Sequence, residues 1–234
     1  MSETRPYNPY VSIDCVVFGF DGKNLKVLLI KRHIDENTGE YNDVKLTVSI
    51  IYIEEDLDEA ATRVLAELTG LKNIPLSQFY SFGNPLRTSN PRDILWLERT
   101  MKTKIERIVT IGYVALIKIN RKITLNSQNT SAAWYNVDEV KEMNLAMDHN
   151  LIVQKGLDHI KWWLNAEPHL MFKLLPTKIT VSQLRLLYDE INQTKSDVRN
   201  FQKKINQWHN LVMLDEFEKG VPHRAGRLYK YQKK

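Results

Sequence analysis

The sequence lacks the features that mark a secreted or membrane-bound protein. It has one cysteine, Cys15, in 234 residues, so no disulfide can form within the chain, and a reducing, cytoplasmic location is predicted. Apolar neighbours surround Cys15, which favours a small buried side chain over a nucleophile. No apolar run is long enough to span a membrane, and the first ten residues, MSETRPYNPY, have neither the basic start nor the apolar core of a signal peptide.

Excess negative charge is also lacking, and the positive charge is unevenly distributed. The formal net charge is +5. Residues 167–234 contain 13 lysines and arginines against 7 aspartates and glutamates, a balance of +6, whereas the rest of the chain has 20 against 21, a balance of −1. A basic segment of domain size predicts a module that binds a polyanion. A solvated basic tail is the alternative, but this segment has regular apolar spacing and is not of low complexity.

Strand-like and helix-like patterns follow one another along the first 165 residues. Apolar spacing from Leu57 predicts a helix that begins after Asp56, with Glu59 completing a capping box, and ends at Gly70. A short strand and helix are predicted within 132–143. Further strands are predicted at 11–20, 25–32, 44–53, 77–83 and 108–119, and a long helix at 149–165. This order predicts an α+β domain with a mixed sheet over residues 1–165.

One stretch of this domain fits neither pattern. Residues 84–107 are charged and contain two prolines. Because structureless loops of this length are uncommon in compact domains, the stretch is predicted to be a functional loop or a small insertion.

Residues 166–234 have a different organisation. They predict helices at 180–193 and 196–210, followed by a strand, a turn and a second strand over 211–231. Two helices followed by a β-hairpin are the element order of a winged helix-turn-helix domain. We therefore predict a second domain over residues 166–234.

The second of these helices has the pattern of a DNA-recognition helix. Val198, Phe201, Ile205 and Trp208 are spaced as a buried stripe. The polar residues of the opposite face are Arg199, Asn200, Lys203, Asn206 and Gln207, and the basic residues of the hairpin are His223, Arg224 and Arg227. Such side chains contact base edges and phosphates, so we predict binding to double-stranded DNA.

A fixed set of residues also surrounds the helix that follows Asp56. These residues are Ser49, Glu55, Arg63, Val64, Leu65, Glu67, Leu68, Gly70 and Leu71. Their spacing is that of the Nudix box, G-x5-E-x7-R-E-U-x-E-E-x-G-U with U apolar, without a gap. The positions that differ in residue type are Ser49, Val64 and Leu68. Residues 8–165 therefore resemble a Nudix domain, and the resemblance implies an α/β/α sandwich.

The differences fall on the residues that would carry catalysis. Nudix enzymes bind Mg²⁺ or Mn²⁺ through carboxylates of this helix, and the apolar Val64 and Leu68 cannot ligate a metal. The resemblance thus implies a degenerate box without catalytic residues, metal or cofactor. Arg63 and Glu67 are interpreted as an exposed helical charge pair, and Glu55 as a carboxylate that favours the helix N-terminus.

The whole chain resembles the Nudix-related transcriptional regulators. The segments that carry this resemblance are RVLAELTGL, FKLLPTKITVSQLRLLYDEI, RNFQKKI and GRLYKY. They are most similar to the branch that controls sugar utilisation in Bacteroidetes and responds to arabinose. The resemblance implies a homodimer that binds a palindromic operator and responds to a small effector, here a sugar of the pentose type. The stretch VSIIYI, where many relatives have GGF, and the length of residues 84–107 put arabinose itself in doubt.

Five residues are candidate effector ligands. Asp14 interrupts an apolar strand, and its carboxylate is suited to a hydroxylated ligand, although an exposed strand face is an equally good interpretation. Lys31 and Arg32 end the next predicted strand, and Trp96 and Trp134 are suited to stacking on a sugar ring, although tryptophan is more often a core residue.

Other functions remain open. A Nudix hydrolase of ADP-ribose or sugar nucleotides with a relocated metal site would retain Glu67 as its main remnant. A regulator of NAD metabolism that senses ADP-ribose, and a scaffold whose basic module binds RNA or protein, also fit the sequence.

Overall fold

The computed structural model describes residues 5–32, 44–102, 104–119, 130–222 and 224–232. These residues form two compact units. The first takes in the chain as far as Phe18, Val27–Ala115, and the chain that ends at His159. The second takes in Gly19–Lys26, the segment that starts at Leu116, and the chain from Ile160 onward. The predicted domain boundary after residue 165 stays a prediction.

A mixed sheet organises the chain before residue 137. Its seven strands within the described residues are β1 (Tyr7–Phe20), β2 (Leu25–Arg32), β3 (Val44–Lys45), β4 (Thr47–Tyr52), β5 (Ser77–Phe82), β6 (Val109–Lys118) and β7 (Thr130–Asn136). The order is β3-β2-β1-β6-β5, with β4 antiparallel to β1 and β7 paired with β2. The nine residues from Ser12 to Phe20 are all buried, which is typical of a central strand covered on both faces.

The helices of this part are α1 (Leu57–Thr69), α2 (Pro91–Met101), α3 (Val137–Glu142) and α4 (His149–Ala166). α1 has the predicted bounds: Asp56 and Glu59 form the capping box, and Gly70 ends the helix with a φ of 73°. None of the helices in the described part of the chain is long and apolar enough to cross a membrane.

The stretch 84–107 is largely helical and not an irregular loop, and we call it the helical insertion. It forms a 3-10 helix over Pro85–Thr88 and then α2. Each helix starts at an asparagine followed by a proline: the side chains of Asn84 and Asn90 accept hydrogen bonds from the N–H groups of Leu86 and Arg92. Asparagine at the N-cap and proline at the first helical position are ordinary start signals. These start signals were not recognised in the sequence because the stretch around them is highly charged.

The C-terminal elements form a winged helix. They are a 3-10 helix (Pro168–Lys173), β8 (Lys178–Thr180), α5 (Val181–Asn192), α6 (Val198–Ile205), β9 (Leu211–Phe217) and β10 (Arg227–Tyr231). The strands make an antiparallel sheet in the order β8-β10-β9. The predicted helix-helix-hairpin order is confirmed. β8 was not predicted because three residues are too short to show a period.

α6 is shorter than the predicted helix at 196–210. Phe201 and Ile205 are buried as predicted, but Val198 is 58% exposed, so the predicted stripe is wrong at its first position. Asn206 is the C-cap, and Trp208 therefore lies beyond the helix. The apolar spacing continued past the point where the backbone leaves the helix.

Candidate functional sites

The turn between α5 and α6 is fixed by a half-buried polar network. The carboxylate of Asp189 accepts hydrogen bonds from the N–H of Ser196 at 3.0 Å and from Arg185 Nη1 at 3.3 Å. The same Arg185 nitrogen donates to the Ser196 carbonyl at 3.1 Å. These contacts tie Ser196, at the α6 end of the turn, to α5, and so help to fix the orientation of α6 relative to α5.

The start of α6 is capped by Asp197, and the two lysines of α6 differ in their contacts. The Asp197 carboxylate accepts hydrogen bonds from the N–H groups of Arg199 and Asn200, both at 3.0 Å. Lys204 turns back to α5, where its ammonium lies 2.5 Å from the Tyr188 hydroxyl and 4.1 Å from the centre of that ring. Lys203 is exposed. Of these two adjacent lysines, Lys203 is therefore the one available to a polyanion.

The predicted DNA-binding residues of this region are all exposed. Arg199, Asn200 and Lys203 lie on α6, whereas Asn206 and Gln207 follow it. The Asn206 side-chain oxygen accepts a hydrogen bond from Gln202 Nε2 at 3.1 Å. Arg199 and Lys203 are four residues apart and so lie on the same side of the helix. An exposed arginine and asparagine at the start of a capped helix can reach base edges in a major groove.

The hairpin between β9 and β10 is the wing. Arg227 begins β10, with its guanidinium 5.1 Å from the Phe217 ring centre and 3.8 Å from the Asp215 carboxylate. Arg224 is exposed in the connecting turn. His223, which was also predicted to contact DNA, lies outside the described residues.

The Nudix-like helix is held to the preceding turn by an ion pair that the sequence did not predict. Two Arg63 nitrogens donate to the two Glu55 oxygens at 2.6 and 2.7 Å, with side chains only 14% and 4% exposed. Arg63 also donates to Glu67 at 3.0 Å and to the Ile50 carbonyl at 3.2 Å, and its guanidinium lies 4.4 Å from the Tyr52 ring centre. The interpretation of Arg63 as an exposed residue is therefore wrong, and Glu55 binds Arg63.

The ionisation of this pair follows from these contacts. Although burial raises it, the pKa of Glu55 is lowered overall by the hydrogen bonds from Arg63 and the Tyr52 N–H. Burial lowers the pKa of Arg63, but its contacts with Glu55 and Glu67 raise it overall. Both groups are thus charged at neutral pH, as their ion pair requires.

The other box positions lie in apolar or backbone-bonded surroundings. Val64 is fully buried, and Leu68 is half-buried on the same helix. Ser49 lies in β4 opposite Ile13, and its hydroxyl donates to the Ile50 carbonyl at 3.3 Å. No cluster of three or more histidine, cysteine or acidic residues suited to a metal occurs in the part of the chain that the structure describes.

A polar pocket of about 220 Å³ lies in the first unit, beside the helical insertion. It is lined by Leu86, Arg87, Ser89, Asn90, Arg92, Asp93, Asn144, Leu145, Ala146, Met147 and Asp148. The insertion thus supplies one wall, and the segment before α4 supplies the other.

Arg87 joins this pocket to a buried carboxylate. Its Nε and Nη2 donate to the two oxygens of Asp148 at 3.0 and 2.8 Å. Nη2 also lies 3.7 Å from Asp14 Oδ2, and His149 Nε2 is 3.5 Å from the same oxygen. Asp14 is fully buried in β1, so the interpretation that placed it on an exposed strand face is wrong. Among the described residues, neither of its oxygens has a hydrogen-bond partner.

This environment changes the acidity of Asp14. Burial raises the pKa of its carboxyl to about 7, although the Arg87 charge opposes the change. A carboxyl without hydrogen bonds in a low-dielectric site is expected to favour the neutral form. Asp14 therefore titrates near neutral pH.

The other candidate effector residues lie elsewhere. Trp96 packs in a cluster with Ile50, Leu97, Ile105 and Ile108, and the ammonium of Lys45 lies 5.0 Å from its ring centre. Lys31 and Arg32 end β2, and Trp134 lies in β7. These four are not among the described residues that line the pocket. Arg87 and Asp148 were missed because they are 61 positions apart in sequence.

Known proteins are similar to this chain in both its Nudix-like part and its winged helix. Residues 171–231 match the family model of the NrtR DNA-binding winged helix domain. A crystal structure of Shewanella oneidensis NrtR complexed with a 27mer DNA is 20% identical, covers 95% of this chain and 93% of its own, and has a TM-score of 0.70. No curated protein matches the sequence at a significant level.

Two further solved structures are similar, one to nearly the whole chain and one to its Nudix-like part. A MutT/nudix family protein from Enterococcus faecalis is 20% identical, covers 99% of this chain and 90% of its own, and has a TM-score of 0.67. The NUDIX domain of Shewanella oneidensis NrtR complexed with ADP ribose is 23% identical, covers 65% of this chain and 89% of its own, and has a TM-score of 0.51. The chain therefore combines a Nudix-fold domain with an NrtR-type winged helix DNA-binding domain, which confirms the predicted fold class.

Proposed function

We propose that this protein is a ligand-responsive transcriptional regulator whose Nudix-like domain senses a small molecule and has no hydrolase activity. The exposed polar face of α6, within a domain that matches the NrtR DNA-binding model, carries the DNA-binding part of the proposal. The alternative in which this module binds RNA or protein is less favoured, because a capped helix with exposed Arg199 and Asn200 suits a duplex major groove.

Substitutions of Arg199 and Lys203 are expected to weaken the binding of duplexes from the protein's own genomic neighbourhood in two different ways. Arg199→Ala should lower the affinity of the protein for its preferred duplex by about 5- to 150-fold. It should also relax the protein's sequence preference, as expected for an arginine that contacts a base. Lys203→Ala should lower the affinity for all duplexes alike, as expected for a phosphate contact. It should also reduce the slope of log affinity against log salt concentration by about one. Fluorescence anisotropy over a salt series measures both effects.

Lys161→Ala provides the matched control. Lys161 is exposed on α4, so this variant loses the same charge outside the winged helix. If it weakened binding as much as Lys203→Ala, the effect would be one of net charge. A protein that prefers no duplex would overturn the DNA-binding proposal.

We further propose that the protein is a homodimer whose two winged helices bind a palindromic operator. A twofold dimer places half-sites about one helical turn apart. An effector would act by binding one dimer geometry more tightly than the other, because a ligand shifts an equilibrium only through differential affinity.

The favoured effector class is a pentose-type sugar. The resemblance to the sugar-utilisation regulators and the polar pocket beside Asp14 support it. The runner-up is ADP-ribose, which the NUDIX domain of Shewanella oneidensis NrtR holds in its crystal structure. The two classes imply regulation of carbohydrate use or of NAD metabolism, and ligand binding to the purified protein distinguishes them.

Turnover of ADP-ribose or sugar nucleotides with Mg²⁺ or Mn²⁺ is expected to be no faster with this protein than with its Glu67→Gln variant. Val64 is buried and apolar, Leu68 offers no oxygen, and Glu67 is engaged by Arg63. One carboxylate supplies too few ligands for a hard divalent cation. Release of the nucleoside monophosphate, which is AMP for ADP-ribose, measured by chromatography tests this expectation. Metal-dependent turnover that Glu67→Gln abolishes would instead support the hydrolase.

A further inference from the structure

A separate cavity lies within the second unit, just beyond the end of α6. Its volume is about 370 Å³, at the lower end of the roughly 300–1,000 Å³ of pockets that hold small organic ligands. The walls come from the 3-10 helix that precedes β8, from the turn after α6 and from the end of β10. The lining residues are Pro168, His169, Phe172, Trp208, His209, Asn210, Leu211 and Tyr231.

Three of the lining rings are almost parallel. The centre of the Tyr231 ring lies 4.8 Å from that of Phe172, with an angle of 18° between the planes. It lies 5.9 Å from the centre of the His169 ring, with an angle of 17°. His169 and Phe172 are three residues apart in the 3-10 helix, where side chains at this spacing lie above one another. Because flat rings stack best on flat rings, this set favours a planar aromatic ligand.

Trp208 adds a further aromatic surface to the cavity. It lies two residues beyond Asn206, the C-cap of α6, and is only half-buried. Its N–H donates to the Ile205 carbonyl at 2.9 Å, and its own carbonyl accepts from the N–H of Leu211 at 2.9 Å. A defined turn therefore holds the indole at the cavity, directly after the helix that is proposed to contact DNA.

The polar atoms of the lining suit the edge of a heteroaromatic ring. The side-chain nitrogen of Asn210 is 3.5 Å from the Tyr231 hydroxyl, at the limit of a hydrogen bond, so a ligand that bound this amide would displace only a weak contact. An asparagine amide presents donors and an acceptor side by side, as the edge of a nucleobase does. The described lining contains no lysine, arginine, aspartate or glutamate, so a charged ligand would find no opposite charge in it.

We infer that this cavity binds an uncharged, planar heteroaromatic compound of the nucleobase type, stacked on the aromatic lining and hydrogen-bonded to Asn210. The inference goes beyond the proposed function and does not depend on it, because it places a small-molecule site in the winged helix and not in the Nudix-like domain. Free bases and the unstacked bases of single-stranded DNA share this chemistry. The free base is the better fit, since proteins that bind single strands add a positively charged groove for the backbone.

Titration of the nitrogen-15-labelled, full-length protein with adenine, hypoxanthine and cytosine tests this inference by nuclear magnetic resonance. Each of the five tryptophans gives one indole N–H signal, and Trp208→Phe identifies that of Trp208. At least one base should shift this signal saturably and leave the other four unchanged. Cyclohexanecarboxamide, whose ring is puckered, and AMP, whose phosphate meets no cation in the lining, should each bind about tenfold more weakly or worse.

Substitutions locate the site by calorimetry. Asn210→Leu removes the amide at similar volume and should weaken the bound base about tenfold or more. Trp208→Ala should abolish binding, whereas Trp208→Phe keeps a ring and should retain it. Trp162→Ala is the matched control, because Trp162 is 67% exposed on α4 and outside the lining, and this variant should bind normally. The melting temperature of each variant without ligand verifies that it is folded.

The outcomes decide the site and the ligand class separately. No saturable shift with any of the three bases, a shift confined to another tryptophan, or binding that survives both Asn210→Leu and Trp208→Ala would overturn the inference. Equal binding of AMP would overturn the uncharged class, and an equal shift by single-stranded oligodeoxyadenylate would overturn the assignment to a free base. None of these measurements uses duplex DNA, so this inference and the proposed regulator can fail independently.

Discussion

Replacing Asp14 with asparagine should stabilise the folded protein by roughly 4 kcal/mol at pH 8 and leave its stability almost unchanged at pH 4. Burial raises the pKa of Asp14 to about 7 from 3.8. A raised pKa means that the neutral carboxyl stabilises the fold below pH 4, and that this contribution is lost as the pH rises to about 7. Asparagine cannot ionise and escapes this loss. Thermal unfolding of the ligand-free protein at several pH values measures it.

Asp138→Asn is the control for this pH dependence. The Asp138 side chain is 80% exposed and pairs with Lys141 on the surface, where ion pairs contribute little. The melting temperature of the Asp138→Asn variant should therefore equal that of the unchanged protein at every pH. If Asp14→Asn lost as much stability between pH 4 and pH 8 as the unchanged protein does, Asp14 would not be the group that titrates.

Glu55→Ala is expected to destabilise the protein by about 3–5 kcal/mol, because it leaves the Arg63 guanidinium without its main partner in a largely buried position. The same carboxylate also accepts a hydrogen bond from the Tyr52 N–H at 3.1 Å, so the turn before α1 loses a second contact. Denaturant unfolding followed by circular dichroism measures the change.

Glu67→Ala is the matched comparison, because Glu67 also forms an ion pair with Arg63. Its side chain is 55% exposed, and an exposed helical pair is worth only about 0.3–0.5 kcal/mol. Equal losses from the two substitutions would show that burial does not decide the strength of these contacts, and the structural role given to Glu55 would then fail.

The elements that the sequence predicted well are those whose signals are local. The capping box of Asp56 and the glycine at position 70 define α1 within a span of fifteen residues, and α4 shows a long apolar period. β8 and α2 escaped prediction for different reasons. β8 is too short for a period, whereas the start signal of α2 is a single asparagine–proline pair within a charged stretch.

The candidate sites were predictable only where one element carries them. Arg199, Asn200 and Lys203 share α6, so helical spacing was enough to group them. The Arg63–Glu55 pair spans the turn into a helix, and the sequence favoured the closer partner, Glu67. Asp14 stood out as a charge in an apolar strand, but its neighbours come from other elements, so no spacing could reveal them.

The Arg63–Glu55 pair has an evolutionary consequence. It anchors α1 to the preceding turn through protein contacts alone, so carboxylates at positions 64 and 68 are not needed to hold the helix in place. Val64 is fully buried, and Val64→Glu would place a charge in the core before any cation could compensate for it. Under the proposed non-hydrolytic function, a lineage that regained a carboxylate at position 64 would thus pass through a less stable intermediate.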